Sequence, residues 1–268
     1  MSAPAIHTSG FIDTHCHFDF PPFSGAEAAS LLSAAEANVR QLIIPAVGAQ
    51  YFERILSLIN TYPPLFAALG LHPLYIEQHQ EQHLIQLDAL LAEKSEKVVA
   101  VGEIGLDLYM ENPQFTHQLT LLQAQLTLAK KHDLPVILHS RRTHDQLAAA
   151  LRKAALPRTG VVHGFAGSLE QAQAFIKLGY YIGVGGTISY LRAQKTRNVM
   201  AALPLSALVL ETDAPDMPLA GFQGQPNRPE RAVEIFSILC ELRTESAEEI
   251  AKQLYTNSLC LFNLPPAS

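Results

Sequence analysis

The chain has 268 residues, 48% of them hydrophobic, and a formal net charge of −6. That is enough to bury one large core, and barrels of about 250 residues commonly form a single domain. The acidic balance excludes a broad nucleic-acid-coating surface, which would show a basic excess, yet leaves room for a small basic site on an acidic body. The three cysteines, Cys16, Cys240 and Cys260, are far apart and lack CxxC spacing, which excludes a disulfide framework and a thiolate zinc site; they are expected to be reduced and mostly buried.

The opening stretch MSAPAIHTSG has neither a basic start nor an apolar run, so it is not read as a signal peptide. No apolar run nears the roughly 18 residues of a membrane span, and the expectation is a cytoplasmic enzyme without membrane contact. Short aliphatic runs then predict strands at Phe11–Asp13, Gln41–Pro45, Phe66–Leu69, Val98–Gly102, Val136–His139, Gly160–His163, Tyr180–Gly183 and Leu208–Glu211. Between them, stretches such as GAEAASLLSAAEANV, QFTHQLTLLQAQLTLAKKH, THDQLAAALRKAA and SLEQAQAFIKLG carry apolar residues at i, i+3 and i+4, which predicts amphipathic helices. A last helical stretch runs from about Pro229 to Asn257. Eight alternating strand–helix units imply parallel strands with right-handed crossovers, and their number fits a closed α/β TIM (β/α)8 barrel spanning residues 1–268 as one domain. The Pro- and Gly-rich loop DAPDMPLAGFQGQPNRPE is too long for a plain turn and is a candidate site loop.

Barrel chemistry sits at the carboxyl ends of the strands. Those ends carry His15 and His17, His72, Glu103, His139, His163 and Asp213, nearly all metal-ligand types. Alternation along an extended chain aims His15 and His17 to one side and Cys16 to the other, where it acts as a small apolar filler. Four imidazoles and two carboxylates exceed the three protein ligands of a mononuclear catalytic zinc site. A carboxylate can bridge two cations, and two cations form the usual clamp in phosphoester hydrolysis, so the reading is a hydrolase with two divalent metal ions. Ligation by N and O without thiolate accepts Zn, Mn, Co or Fe, and Mg less readily.

The motifs DTHCHFD at 13–19, GLHP at 70–73, VGEIGLD at 101–107, LHSR at 138–141, VHGF at 162–165 and ETDAP at 211–215 occur in this order over nearly the whole chain. With them the sequence resembles the TatD-type metal-dependent deoxyribonucleases of the amidohydrolase-like barrels. The stretches IGVGGTISY and LAGFQGQPNRPE resemble the YjjV branch most. The resemblance implies that His15, His17 and Asp213 hold one metal, that His139 and His163 hold the other, and that Glu103 bridges them. Many relatives have HCF where this chain has HGF at 163–165, a change that keeps the ligand.

On this reading the metals acidify a water and polarise the phosphoryl group it attacks, with Asp213 as candidate general base beside Glu103. His72 is assigned to the substrate, contacting a phosphate or protonating the leaving oxygen; the plainer alternative is a histidine capping the turn before Pro73. Glu211 and Asp107 are candidates for orienting ligands, with surface ion pairs as the alternative. Basic residues on the same face, Arg141, Arg142, Arg192, Lys195, Arg197 and Arg228, form a candidate phosphate rim, with Arg141 and Arg228 as the substrate contacts. Phe165, Tyr190 and Phe222 lie in loops from which an aromatic ring could meet a base. The expected substrate is DNA or a short oligonucleotide cut at its end; the alternative is a small-molecule amide, lactone or phosphoester, because a fold and a metal site do not fix a substrate.

Overall fold

Eight strands form one parallel sheet in sequential order: β1 (Phe11–Asp13), β2 (Val39–Pro45), β3 (Leu65–Leu69), β4 (Val98–Asp107), β5 (Val136–Arg141), β6 (Gly160–Val162), β7 (Tyr181–Val184) and β8 (Leu208–Leu210). The computed structural model describes residues 10–267; the opening stretch read for a signal peptide lies, except for Gly10, outside the described residues. The sheet curls until β8 meets β1. There the Thr14 N–H and hydroxyl both donate to the Leu210 carbonyl, at 3.0 and 2.9 Å, and the Asp213 N–H donates to the His15 carbonyl at 2.9 Å. Asp13 completes the closure by accepting the Thr212 N–H at 2.9 Å and its hydroxyl at 2.6 Å.

Nine helices are present among the described residues: α1 (Glu27–Glu36), α2 (Phe52–Thr61), α3 (Glu81–Ala92), α4 (Phe115–Lys131), α5 (His144–Ala154), α6 (Leu169–Lys177), α7 (Gln194–Ala202), α8 (Ala232–Leu242) and α9 (Ala247–Phe262). The predicted last helix is in fact two. Ser246 caps α9 by accepting the Glu249 N–H while Glu249 reaches back to the Ser246 N–H, a reciprocal cap that starts a new helix where one continuous stretch was expected. β4 also runs to Asp107, five residues past its predicted end, with a register shift between Val101 and Ile104.

Strand alternation sorts the core. Leu42, Ile44, Leu69, Leu138, Val162, Ile182 and Leu210 pack with the surrounding helices, whereas Ile12, Ile43, Phe66, Ala68, Val99, Ile137, Val161 and Val209 cluster together inside the barrel above Leu261 and Phe262 of α9. Burying Phe262 there is worth about 2–3 kcal/mol. Two residues beyond Ile137, Val161 and Val209 on the same side come His139, His163 and Glu211, so the parity that fills the barrel below also aims polar groups into its mouth.

Cys16 is fully buried, in line with its predicted filler role, but Cys240 is half-buried and Cys260 exposed. The expected burial therefore fails for the two cysteines on helices, because Cys260 lies on the outer face of α9. No helix among the described residues is long and apolar enough to cross a membrane.

Candidate active site

Glu103, near the middle of β4, is the hub. Its Oε2 lies 3.1 Å from His15 Nε2 and 3.5 Å from His17 Nε2, and both of those nitrogens lie 3.5 Å from Asp213 Oδ1. The two imidazole nitrogens are themselves 3.3 Å apart. Glu103 Oε1 faces the other way, 2.8 Å from His163 Nε2, 3.2 Å from His139 Nδ1 and 2.9 Å from His72 Nε2. The structure thus brings together all six predicted ligands, and His72 with them.

The donors fit divalent cations. Zinc–nitrogen bonds of about 2.0–2.1 Å separate tetrahedral ligand atoms by about 3.3–3.4 Å, close to the spacing in the first group. The outer hydrogen bonds also leave lone pairs pointing inward. His17 Nδ1 donates to the Pro45 carbonyl at 3.2 Å, and His139 Nε2 donates to Asp107 Oδ2 at 2.7 Å, which frees Nε2 of His17 and Nδ1 of His139 for a cation. Asp107 therefore fixes the ring of His139, one of the predicted ligands. Glu211 stands near His163 Nδ1, at 3.8 Å, and accepts the Gly164 N–H, which is more than an ion pair at the surface.

Local sequence explains these placements. Asp213 has φ 61°, in the left-handed region that costs a non-glycine residue of order 1 kcal/mol, and so leaves the strand alternation that Glu211 still obeys. The turn is held because the Ala214 N–H donates to the Thr212 hydroxyl and Asn227 donates to the Thr212 carbonyl. Gly183 on β7 shares the inward parity, and a Cβ there would come within 2.4 Å of the Glu211 carboxylate. Gly164, the middle residue of the HGF motif, sits at φ 54° with no atom within 4 Å of a built Cβ. Sequence reasoning missed Gln118 and Gln125 of α4. Gln118 bonds both the N–H and the carbonyl of Asp107, and Gln125 does the same for Leu71, next to His72. Their seven-residue spacing on an apolar stripe was the available signal.

Burial and the facing charges set the protonation. Burial disfavours a charged His163 and His17, but Glu103 and Glu211 around the first, and Asp213 and Glu103 around the second, outweigh it and raise them to about 10 and about 9. His15 is pushed down to about 4, by burial first and then by His163, whose ring stacks on it at 3.8 Å. Burial opposes ionisation of Glu103 too, yet His72, His163 and His15 hold it well below the usual carboxylate range. Burial raises Asp13 and Glu211 to about 7. Burial disfavours a charged His139 as well, but Asp107 and Glu103 outweigh it and raise it, so imidazolium charge stands in both groups where a cation would bring its own. Cys16, raised by burial, stays a thiol and is no ligand.

The rim differs from expectation. Arg228 Nε donates to Glu230 at 2.6 Å, which pairs its charge, and Arg197 is tied to the neutral Ile188 carbonyl. Arg141 and Arg142 pack on the exposed Tyr109 ring, 3.7 and 4.5 Å from its centre, with no carboxylate partner among the described residues. Arg192 lies over Tyr190 at 5.2 Å. Phe165 is buried against His144, so its ring is not open to a base, and Arg231 covers one face of the half-buried Phe222.

Comparisons with known proteins agree with this centre. The chain is 64% identical, over 95% of its length and 98% of the other's, to the uncharacterized metal-dependent hydrolase YjjV of Escherichia coli K12, whose crystal structure superposes with a TM-score of 0.94. It is 32% identical, over 86% of its length and 91% of the other's, to the 3'-5' ssDNA/RNA exonuclease TatD of Erwinia tasmaniensis. A phosphotriesterase homology protein from Escherichia coli, with phosphate in its active site, shares the fold at 14% identity, TM-score 0.68, over 95% of this chain and 99% of that one. With the TatD related DNase family matching residues 12–263, the chain belongs to that family of metal-dependent hydrolases.

Proposed function

We propose that this hydrolase is a deoxyribonuclease that cleaves phosphodiester bonds at DNA ends with two divalent cations. The observation that carries the reading is the division of Glu103, one oxygen turned to His15 and His17 and the other to His139 and His163. His15, His17 and Asp213 would hold one cation and His139 and His163 the other, with Glu103 between. When bound, such a pair supplies Lewis acidity at the phosphoryl group and lowers the pKa of water from 15.7 toward about 7.

The chain's own residues do the rest. Asp213 is the most exposed of the three carboxylates Asp213, Glu103 and Asp107, and its Oδ1 borders the first group, so it is placed to accept the proton of an attacking water. Asp107 and the Pro45 carbonyl keep the imidazoles turned inward. Arg141, with Arg142 beside it, is the cation available to a phosphate next to the scissile bond. Arg228, also expected to bind substrate, would first have to leave Glu230. The named activity of the Erwinia relative on single-stranded DNA and RNA supports the nucleic-acid assignment.

A second reading, hydrolysis of a small amide, lactone or phosphoester, is favoured by the arginines that lie over the rim's aromatic rings, Arg141 and Arg142 on Tyr109, Arg192 on Tyr190 and Arg231 on Phe222, where a base would stack. Protein loaded with Mn2+, Zn2+ or Mg2+ and given end-labelled single-stranded DNA beside a panel of small esters separates the two. Stepwise loss of terminal nucleotides is the expected result; turnover of an ester with intact DNA under every metal would give the site to a small molecule.

A further inference from the structure

His72, Glu103 and His139 have ligand atoms mutually within 4.8 Å, and by proximity alone His72 would count as a further ligand of the second cation. We propose instead that His72 is a fixed N–H donor that positions Glu103 and never ligates; the proposal rests on reading the centre as binuclear. A ligating imidazole nitrogen needs a lone pair, and which nitrogen has it is set by the bond the other one makes. In His17 and His139 the outer nitrogen donates, to a carbonyl and to a carboxylate, which frees the inner one. In His72 the order is reversed. Its Nδ1 lies 3.0 Å from the Leu74 backbone N–H, a group that can only donate, so Nδ1 holds the lone pair and Nε2 the hydrogen.

The turn enforces this arrangement. Pro73 has no N–H, so the Leu74 amide is the first donor of the short 3-10 turn Pro73–Gln78, and His72 caps it, as the plainer sequence reading held. The backbone of His72 is pinned as well: its N–H donates to the Val47 carbonyl at 3.1 Å, and its carbonyl accepts His79 Nε2 at 2.7 Å and the Tyr75 N–H at 3.1 Å. With the ring so held, Nε2–H points at Glu103 Oε1, 2.9 Å away. That oxygen has two lone pairs. His72 takes one and leaves the other for the His139 and His163 group, which fixes the rotation of the carboxylate and sends Oε2 to the His15 and His17 group.

The test is nitrogen NMR of the imidazoles in the wild-type chain, stripped of metal and then reloaded with zinc, which is diamagnetic. His72 Nε2 is expected to keep its directly bonded hydrogen in both forms, while the inner nitrogens of His17 and His139 move to coordinated shifts. Loss of that hydrogen on loading, with coordination at Nε2, would overturn the proposal. Zinc stoichiometry in the same samples tests the binuclear reading separately: a plateau at one equivalent would defeat that reading, and the tautomer of His72 would still be read in the metal-free chain. Variants add a second measurement. His72→Gln retains an N–H near the same place and His72→Ala does not. Both should saturate at the parent's stoichiometry, with affinity for the second equivalent about 10–100-fold weaker in His72→Ala and largely recovered in His72→Gln. Loss of one whole equivalent in both variants would mean that His72 is a ligand.

Discussion

Glu103 faces both groups of imidazoles: one oxygen turns to His15 and His17, the other to His139, His163 and His72, and both groups lose a facing charge when it is removed. Asp107 reaches the centre through His139, whose outer nitrogen it holds at 2.7 Å, while its other oxygen accepts the Tyr109 N–H. The two carboxylates lie on one strand, four residues apart, and should fail differently. Glu103→Ala is expected to fall from two bound equivalents to one or fewer and to lose at least about 10³-fold in kcat/KM, since a cation that loses its ligand loses its Lewis acidity with it. Asp107→Asn keeps an acceptor for His139 but not its charge, and should bind metal about 10–100-fold more weakly while still saturating at two equivalents. Elemental analysis of the reloaded variants checks both. Two tightly held equivalents in Glu103→Ala would remove it from the bridging position.

At the scale of elements, α4 acts as a splint. Gln118 and Gln125 stand two turns apart on its buried face, and each bonds both the N–H and the carbonyl of one residue near a strand end, Asp107 at the end of β4 and Leu71 after β3. Gln125→Leu would leave a buried donor and acceptor at Leu71 unpaired and is expected to cost about 1–3 kcal/mol, whereas Gln123→Leu on the exposed face should stay within about 0.5 kcal/mol; urea midpoints would show the contrast. An equal effect of the two would mean that Leu71 finds other partners. The strands and the clustering of polar groups at their ends were legible in the sequence because alternation is a local rule: Ile137 and His139 share a side wherever the strand lies. Non-local pairings were not. Asp13 closes the barrel on Thr212, 199 residues away, and no periodicity joins them. Arg228 was read as a substrate contact because its position in the loop was legible and the turn that brings Glu230 onto it was not.

Over the whole molecule, the buried charges set how stability depends on pH. His17 and His163, raised from an ordinary 6.5 to about 9 and about 10, contribute stability that is full below about pH 6.5 and is lost as pH rises through those values; Asp13 and Glu211, raised to about 7, lose theirs in the same direction between about pH 4 and 7. His15, lowered to about 4, works the other way, but only below pH 6.5. Metal-free protein should therefore show a Tm that falls steadily from pH 7 to 10. Loaded protein should show a flatter profile, since cations replace those protons and bind more tightly as pH rises. A flat metal-free profile would mean that the imidazolium ions contribute nothing. The remaining charge is a surface matter: at −6 overall the body repels a polyanion, so binding must depend on a few local cations. Arg141 and Arg142, stacked on Tyr109 with no carboxylate within ion-pair distance among the described residues, are the pair placed for it. Replacing both with Ala should raise KM for a single-stranded oligonucleotide at least about tenfold at low salt and reduce the slope of log affinity against log salt by about 1, while an uncharged ester is cleaved as before. Arg228→Ala, which removes a guanidinium already bound to Glu230, should leave that slope unchanged. Equal losses on oligonucleotide and ester in the double variant would instead tie the arginines to the metal centre, through Asp107, whose ionisation Arg141 favours.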